Sequence, residues 1–200
     1  MDYFALLNEP RRPWLEPDAL KRNFLQRSAE LHPDRFHNAG SAEKEGAQKR
    51  YAELNAAYQC LREPKERLRH LLELERGAKL SQLQNTPSAL MDFSLQIGGA
   101  CREADAFLAE KRKAKSALLL VELFERGQDQ VHKSTQLLQR LAAQTEQMIE
   151  QLKKVDAQWE NSEGKERQEQ LTTLEEVYRL LGYFERWSRL LRERLVQLAE

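Results

Sequence analysis

The chain has few of the residues that build turns, disulfide frameworks and membrane spans. Eight glycines and six prolines in 200 residues are too few for the many turns of an all-β fold. The two cysteines, Cys60 and Cys101, form no CxxC pair, which predicts reduced thiols inside helices. The longest aliphatic run, residues 117–121, is far shorter than the roughly 20 residues that cross a bilayer. Because residues 1–10 also lack the segments of a signal peptide, we expect a soluble, cytoplasmic protein with no membrane partner.

An excess of charge of either sign is also missing. Lysine and arginine together number 32, as do aspartate and glutamate. Such balance excludes binding to nucleic acid through overall electrostatics. The sequence also has no GxxxxGK[ST] loop, no cluster at metal-ligand spacing and no nucleophile placed by a motif. We therefore expect no enzymatic activity, no cofactor and no metal ion.

What the chain does have is helical periodicity. A hydrophobic content of 40% with 32% charged residues is typical of solvated amphipathic helices. Within residues 1–76, the spacing of apolar residues predicts four helices. The second begins near Asp18, and the third runs from about Ser41 to Pro64. The short fourth helix is expected to bury its leucines and to turn Arg67 outward.

Residues His32-Pro33-Asp34 lie between the second and third predicted helices. Proline cannot continue a helix and forces His32 out of helical geometry. The tripeptide therefore predicts a sharp corner at the tip of a helical hairpin, with an imidazole and a carboxylate side by side. A hairpin tip contributes little to a core and is well placed to contact a partner.

The second half of the chain predicts three long helices. Turns are expected at residues 127–129 and 160–164, with a kink or interruption at Gly98-Gly99. Apolar residues of the last helix recur at near-heptad spacing, which is typical of a helical bundle or coiled coil. We therefore predict an all-α monomer made of an N-terminal domain, a connector and a C-terminal three-helix domain, at residues 1–76, 77–88 and 89–200.

The first 75 residues resemble a J domain, the module that activates chaperones of the heat-shock protein 70 class. The residues that carry this resemblance are Tyr3, Phe4, Leu6, Leu20, Phe24, His32 to Phe36, Asn55 to Tyr58, Leu61, Pro64, Arg67, Leu71, Leu72 and Leu74. Within this family the chain is similar to the HscB co-chaperones of iron–sulfur cluster assembly. The fainter part of that likeness lies at Leu90-Met91, residues 148–152 and Tyr183-Phe184.

The resemblance implies a partner and the residues that meet it. The ATPase domain of the chaperone would be contacted by His32, Pro33 and Asp34, and this contact would favour its hydrolysis-competent state. A basic face would meet an acidic region of the same ATPase domain, through Lys21, Arg22 and Arg35. The chemistry of ATP hydrolysis would then belong to the chaperone, and this chain would act as an effector.

The resemblance also implies a client, the scaffold protein on which iron–sulfur clusters are assembled. Leu90, Met91 and Phe184 match the apolar part of the surface expected to bind it. The glutamates expected just after the Leu-Met pair are missing, since residues 92–99 read DFSLQIGG. A second departure is Arg27, which stands five residues before His32, where a leucine is usual.

Three alternatives remain open from the sequence. The first assigns Leu90, Met91 and Phe184 to the core, since buried apolar side chains are commoner than exposed anchors. A J-domain protein of the same architecture could serve an unrelated client. The near-heptad spacing is also compatible with a structural coiled-coil protein that has lost chaperone activity.

Overall fold

A computed structural model describes residues 1–36, 40–80 and 87–199. Within these ranges every regular element is helical, which confirms the all-α prediction. Two 3₁₀ turns are present, at Pro33–Phe36 and Ser88–Leu90. The α-helices are α1 (Tyr3–Leu7), α2 (Pro17–Leu31), α3 (Ser41–Arg62), α4 (Pro64–Arg76), α5 (Met91–Lys111), α6 (Ala117–Trp159) and α7 (Gly164–Ala199).

Proline and glycine set the ends of α4. Pro64 ends α3 two residues earlier and occupies the first turn of α4, where its missing N–H costs nothing. Gly77 ends α4 in the left-handed conformation, with φ of 65°, which glycine adopts without steric cost. Both boundaries agree with the prediction from the sequence.

Helix α1 depends on contacts with the rest of the chain, because five residues are too few for a stable isolated helix. Asp2 caps it: its carboxylate accepts hydrogen bonds from the N–H groups of Phe4 and Ala5, at 3.0 and 3.3 Å. Phe4 and Leu7 are completely buried. Burial of two such side chains contributes about 3–6 kcal/mol before entropy is counted.

Helices α2 and α3 form an antiparallel hairpin. The Phe24 ring of α2 stacks on the Tyr58 ring of α3, with centroids 4.1 Å apart. Nearer the tip, the ring of His32 meets that of Tyr51 edge to face at 5.4 Å. Because the later residue of α2 pairs with the earlier residue of α3, the two helices run in opposite directions. The hairpin therefore holds the His-Pro-Asp corner (residues 32–34) at its end.

The predicted orientation of Arg67 is wrong. This side chain is buried: its Nε donates to the carbonyl of Pro13 and its Nη1 to that of Leu61, both at 2.8 Å. The guanidinium also lies 5.3 Å from the centre of the Trp14 ring. Burial lowers the pKa of Arg67 to about 10, so the group stays charged at neutral pH. Periodicity missed this role because a long cation can satisfy backbone carbonyls inside a core.

The chain forms two compact units that are not continuous in sequence. Unit 1 comprises Met1–Ser81 and Ile149–Tyr178, and unit 2 comprises Gln82–Met148 and Arg179–Glu200. Helices α6 and α7 therefore each contribute residues to both units. This division differs from the three consecutive parts expected from the sequence, because it places the end of α6 and the start of α7 with the N-terminal helices.

Within unit 1, Asp156 of α6 holds the segment that precedes α2. Its carboxylate accepts hydrogen bonds from Arg12 Nε at 2.9 Å, Arg12 Nη2 at 2.5 Å and the Trp14 backbone N–H at 3.0 Å. The hydrogen bond with Asp156 raises the pKa of Arg12 above its usual value. Trp159 adds a hydrogen bond from its indole N–H to the carbonyl of Arg11, at 2.8 Å.

The core of unit 2 lies between segments of α5, α6 and α7. Its buried residues are Ile97, Ala100, Leu137, Leu141, Tyr183, Phe184, Trp187 and Leu191. A second cluster comprises Ala104, Phe107, Leu108, Leu123 and Leu198. The near-heptad spacing of α7 suggested a coiled coil, but its apolar residues Phe184, Leu191 and Leu198 pack in these cores within the same chain.

Two of the predicted helix breaks are wrong, and one is confirmed. Helix α5 continues through Gly98-Gly99, and α6 continues through residues 127–129. Gly127 has a packing role, because a Cβ there would lie only 3.1 Å from Cζ of Phe107. The break between α6 and α7 falls within residues 160–163, inside the turn expected at 160–164.

The break that the sequence analysis missed lies at residues 112–116, between α5 and α6. Four cations fall within the five residues Lys111 to Lys115. Cations are favourable beside the carbonyls at a helix C-terminus, and they repel one another inside a helix. The backbone N–H groups of Arg112 and Lys113 still reach the carbonyls of Leu108 and Glu110, which closes the last turn.

Candidate functional site

The candidate site is the His-Pro-Asp corner, and it forms because α2 stops abruptly. His32 caps α2 with extended backbone, φ −59° and ψ 130°, as expected for a residue before proline. Pro33 then opens a 3₁₀ turn that ends at Phe36. The Arg35 N–H closes this turn on the carbonyl of His32 at 3.0 Å. Residues 37–39, which complete the connection to α3, lie outside the described part of the chain.

The side chains of His32 and Asp34 lie together at this corner. His32 Nδ1 accepts a hydrogen bond from the Asp34 backbone N–H at 3.3 Å, and it lies 3.5 Å from Asp34 Oδ2. The imidazole is partly covered and contacts Tyr51. The Asp34 side chain, in contrast, is 88% exposed. The corner therefore presents a carboxylate to solvent on a backbone turn that the imidazole helps to fix.

The three predicted basic residues lie on the hairpin but differ in their surroundings. Arg35 bends back toward α2, where its Nη1 donates to the carbonyl of Ala29 at 3.3 Å. Lys21 and Arg22 are exposed on α2. Their spacing to Ala29, seven or eight residues, places them on the same side of the helix. The structure thus brings all three cations to the helix that leads into the corner.

On α2, the pattern of buried apolar and exposed polar residues is broken near position 27. Arg27 is half-buried and lines a small cleft with Asn8, Asn23 and Glu30. Leu25 is exposed, one turn after Lys21. It therefore does not replace the usual leucine in the core, and it adds an apolar group to the exposed side of α2. No feature of the sequence predicts this exposure, because an isolated leucine in a helix is normally assigned to the core.

The three residues predicted to bind a client differ in how far they are exposed to solvent. Leu90 is half-buried against the core of unit 2, and Met91 is 50% exposed. Phe184 is buried in that core, with its ring centroid 6.3 Å from that of Trp187. The burial of Phe184 agrees with the alternative of core packing, and its role in client binding stays a prediction. Leu95, one turn after Met91 on α5, was missed and is 62% exposed.

Other kinds of site receive no support from the described ranges. No group of three or more His, Cys, Asp or Glu side chains there could hold a metal ion. None of the helices described is long and apolar enough to span a membrane. Cys60 is free and buried, and its burial raises the pKa of the thiol to about 11. That thiol is therefore almost entirely protonated, and unreactive, at neutral pH.

Comparison with known proteins places this geometry in a family. The family model of the DnaJ domain matches residues 2–70, so the N-terminal part of the chain is a J domain. A co-chaperone protein HscB homolog from Paraburkholderia phymatum is 34% identical over 167 residues, covering 75% of this chain and 95% of the relative. The corresponding protein from Burkholderia multivorans is 33% identical over the same shares of both chains. The chain therefore belongs to the HscB family of co-chaperones.

Solved structures agree on the fold. The chaperone HscB from Vibrio cholerae aligns with a TM-score of 0.56 at 21% identity, covering 93% of this chain and 96% of that chain. The human co-chaperone protein HscB aligns with a TM-score of 0.60 at 19% identity, covering 96% of this chain and 81% of that chain. Both alignments extend well beyond the J domain and so include the long C-terminal helices.

Proposed function

We propose that the chain stimulates the ATPase of a chaperone of the heat-shock protein 70 class through its His-Pro-Asp corner. The observation that carries this proposal is the exposed Asp34 carboxylate, held on a 3₁₀ turn at the tip of the α2–α3 hairpin. An exposed carboxylate on a fixed backbone is well suited to a bidentate, charge-assisted contact with an arginine of the partner. His32, Pro33 and Asp34 would form the centre of the contact.

The electrostatic part of the contact would come from the exposed side of α2. Lys21 and Arg22 are solvent-accessible there, and they would meet an acidic region of the ATPase domain. Arg35 is engaged with the carbonyl of Ala29, so its first role would be to fix the corner. Exposed charges of this kind raise the association rate more than the final affinity.

The mechanism is allosteric, because this chain supplies no group to the hydrolysis of ATP. It can accelerate hydrolysis only to the extent that it binds the hydrolysis-competent conformation of the chaperone more tightly than the others. A tenfold acceleration through such a population shift requires about 1.4 kcal/mol of differential affinity. One charge-assisted hydrogen bond from a donor of the chaperone to the Asp34 carboxylate is of that size.

The client proposed for delivery is the iron–sulfur cluster scaffold protein. Membership of the HscB family supports this assignment, together with the exposure of Met91 beside Leu90 at the start of α5. The missing glutamates after this pair favour a second candidate, a co-chaperone of the same architecture with an unrelated client. Direct binding of the purified scaffold, measured by calorimetry, separates the two candidates.

A steady-state ATPase assay with the chaperone of the same organism tests the proposal. We expect the parent chain to stimulate hydrolysis and Asp34→Asn to lose most of that stimulation. Asp129→Asn is the matched control, since it makes the same chemical change at an exposed position on α6. Equal stimulation by all three proteins would show that the corner is not the activating contact.

A further inference from the structure

The first two turns of α6 extend past the end of α5. Glu110 of α5 pairs with Arg126 of α6 at 2.7 Å, and Glu103 pairs with Lys133. The two helices are therefore antiparallel, with residue 110 level with residue 126. Helix α5 ends at the next residue, whereas α6 begins nine residues before Arg126. We refer to the projecting end, residues 111–124, as the α6 tip.

The α6 tip carries cations that no neighbouring acid neutralises. Four of them fall within five residues: Lys111, Arg112, Lys113 and Lys115. The first is half-buried and the other three are exposed. Among the described contacts, none joins any of the four to a carboxylate. Glu122 is the one acid of the segment, and Glu110, just before it, is held by Arg126. The tip is therefore positive, although the whole chain is neutral.

Apolar side chains are exposed beside these cations. Val121 is 63% exposed and Phe124 is 67% exposed. They lie three residues apart and so share one side of α6. Leu123 is buried in the second cluster of unit 2, so this part of α6 is packed and still presents two large apolar groups to solvent. A groove of about 480 Å³ beside Phe124 is lined by Phe107 and Lys111, among others.

We propose that the α6 tip binds the surface of a lipid bilayer that contains anionic lipids. Its cations would meet the charged headgroups, while Val121 and Phe124 would enter the boundary between the headgroups and the acyl chains. Stable peripheral binding needs two such signals, because one alone gives only weak attachment. The tip offers both within 14 residues.

Charge and polarity together favour a bilayer over other acidic partners. A nucleic acid offers phosphates but no apolar layer in which Val121 and Phe124 could be buried. The aliphatic run at residues 117–121 is too short to cross a bilayer, and the expectation of no membrane partner rests on that length. A peripheral contact needs no spanning length. The proposed contact is also separate from chaperone activation, since the tip includes no residue of the J domain.

Vesicle co-sedimentation with the full chain tests the charge preference. The vesicles consist of phosphatidylcholine, with or without roughly 30% phosphatidylserine. Each cation near an anionic surface strengthens binding about fivefold. We therefore expect the chain to bind the anionic vesicles at least about a hundredfold more tightly, and to lose most of this binding as salt is raised. Equal binding to both kinds of vesicle, or binding to neither, would overturn the proposal.

Charge reversal locates the contact on the α6 tip. Lys113→Glu combined with Lys115→Glu should weaken binding to anionic vesicles at least about 25-fold. Arg189→Glu combined with Arg192→Glu makes the same change of charge on α7 of unit 2, outside the tip, and should bind like the parent chain. Circular dichroism should show unchanged helicity for both double variants, because all four side chains are exposed. Equal losses would mean that binding follows total charge, and would overturn the proposal.

Insertion of the apolar side chains has its own readout. Phe124→Ser should weaken binding to anionic vesicles about fivefold or more. Phe124→Trp places a fluorophore at the tip, and brominated lipids should quench its emission. The parent chain, whose tryptophans all lie outside residues 111–124, should be quenched much less. Equal quenching of the two proteins would show that the tip does not enter the bilayer, and would overturn the proposal.

Two measurements without lipid test the competing occupants. A dimer in sedimentation velocity that Phe124→Ser dissociates would mean that a second copy covers the tip, and would overturn the proposal. Tighter binding of a glutamate-rich helical peptide than of anionic vesicles, lost in Lys113→Glu/Lys115→Glu, would assign the tip to an acidic protein instead. We expect a monomer and weak peptide binding. ATPase stimulation by this double variant should equal that of the parent chain, which separates the two proposals.

Discussion

Asp156 of α6 and Glu160, the first residue after α6, both pair with Arg12, yet their contributions to stability should differ strongly. The Asp156 side chain is only 8% exposed and also accepts the Trp14 N–H, whereas Glu160 is 69% exposed. Asp156→Ala leaves a backbone donor and a cation without their partner. Removing one member of a buried pair costs about 3–5 kcal/mol. Since Arg12 can still reach water, we expect a loss of about 2–3 kcal/mol in the free energy of unfolding.

Urea denaturation followed by tryptophan fluorescence measures this loss, because Trp14 and Trp159 both lie in unit 1. Glu160→Ala is the matched control and should change stability by less than about 0.5 kcal/mol. The double variant Arg12→Ala/Asp156→Ala should be less destabilised than the sum of the single variants, with a coupling of at least about 1 kcal/mol. Equal losses for Asp156→Ala and Glu160→Ala would show that burial of Asp156 adds nothing to its contribution.

Two further changes follow from single contacts. Gly99→Ala should stabilise the chain by about 0.5–1 kcal/mol in thermal or urea unfolding, because Gly99 lies inside α5 and a Cβ would meet no atom within 4 Å; a loss of stability would mean that α5 needs flexibility there. His70 is buried, and its burial lowers the pKa of the imidazole while its Nε2 accepts the Tyr3 N–H at 3.0 Å. The imidazole of His70 therefore binds a proton more readily in the unfolded chain than in the folded one. The free energy of unfolding should fall as the pH drops below about 6.5. His70→Gln should reduce this dependence in urea titrations at several pH values, and an unchanged dependence would contradict the assignment.

Much of the J domain could be predicted because its signals are local. Pro33 and Pro64 end helices through the chain's own covalent geometry, and Gly77 ends α4 through a left-handed turn. The corner at residues 32–34 follows from the same effect. Its exposure also agrees with the expectation for a hairpin tip.

The errors arose where contacts distant in sequence decide the structure. The sequence predicts a turn at Gly127, yet this residue lies inside α6, and the ring of Phe107 occupies the space that a side chain there would fill. The sequence predicts an exposed Arg67, yet its guanidinium is buried in unit 1 and donates hydrogen bonds to the carbonyls of Pro13 and Leu61. Phe107 is far from Gly127 in the sequence and Pro13 is far from Arg67, so periodicity alone could not reveal these contacts.

The same limit applies to the client surface. Phe184 and Met91 both match the apolar residues of the HscB likeness, but only tertiary packing shows that the first is buried and the second exposed. The charge along α5 likewise depends on which of its acids are paired with cations of other helices. The pairing of Asp105 with Arg194 spans 89 residues.

Activation of a chaperone ATPase by the Asp34 carboxylate can be measured by single-turnover hydrolysis on a preformed chaperone–ATP complex. At saturating co-chaperone, binding and activation are separated. We expect the parent chain to accelerate hydrolysis, and we expect hydrolysis with Asp34→Asn to be slower by roughly tenfold or more. Full acceleration by Asp34→Asn at saturation would contradict it.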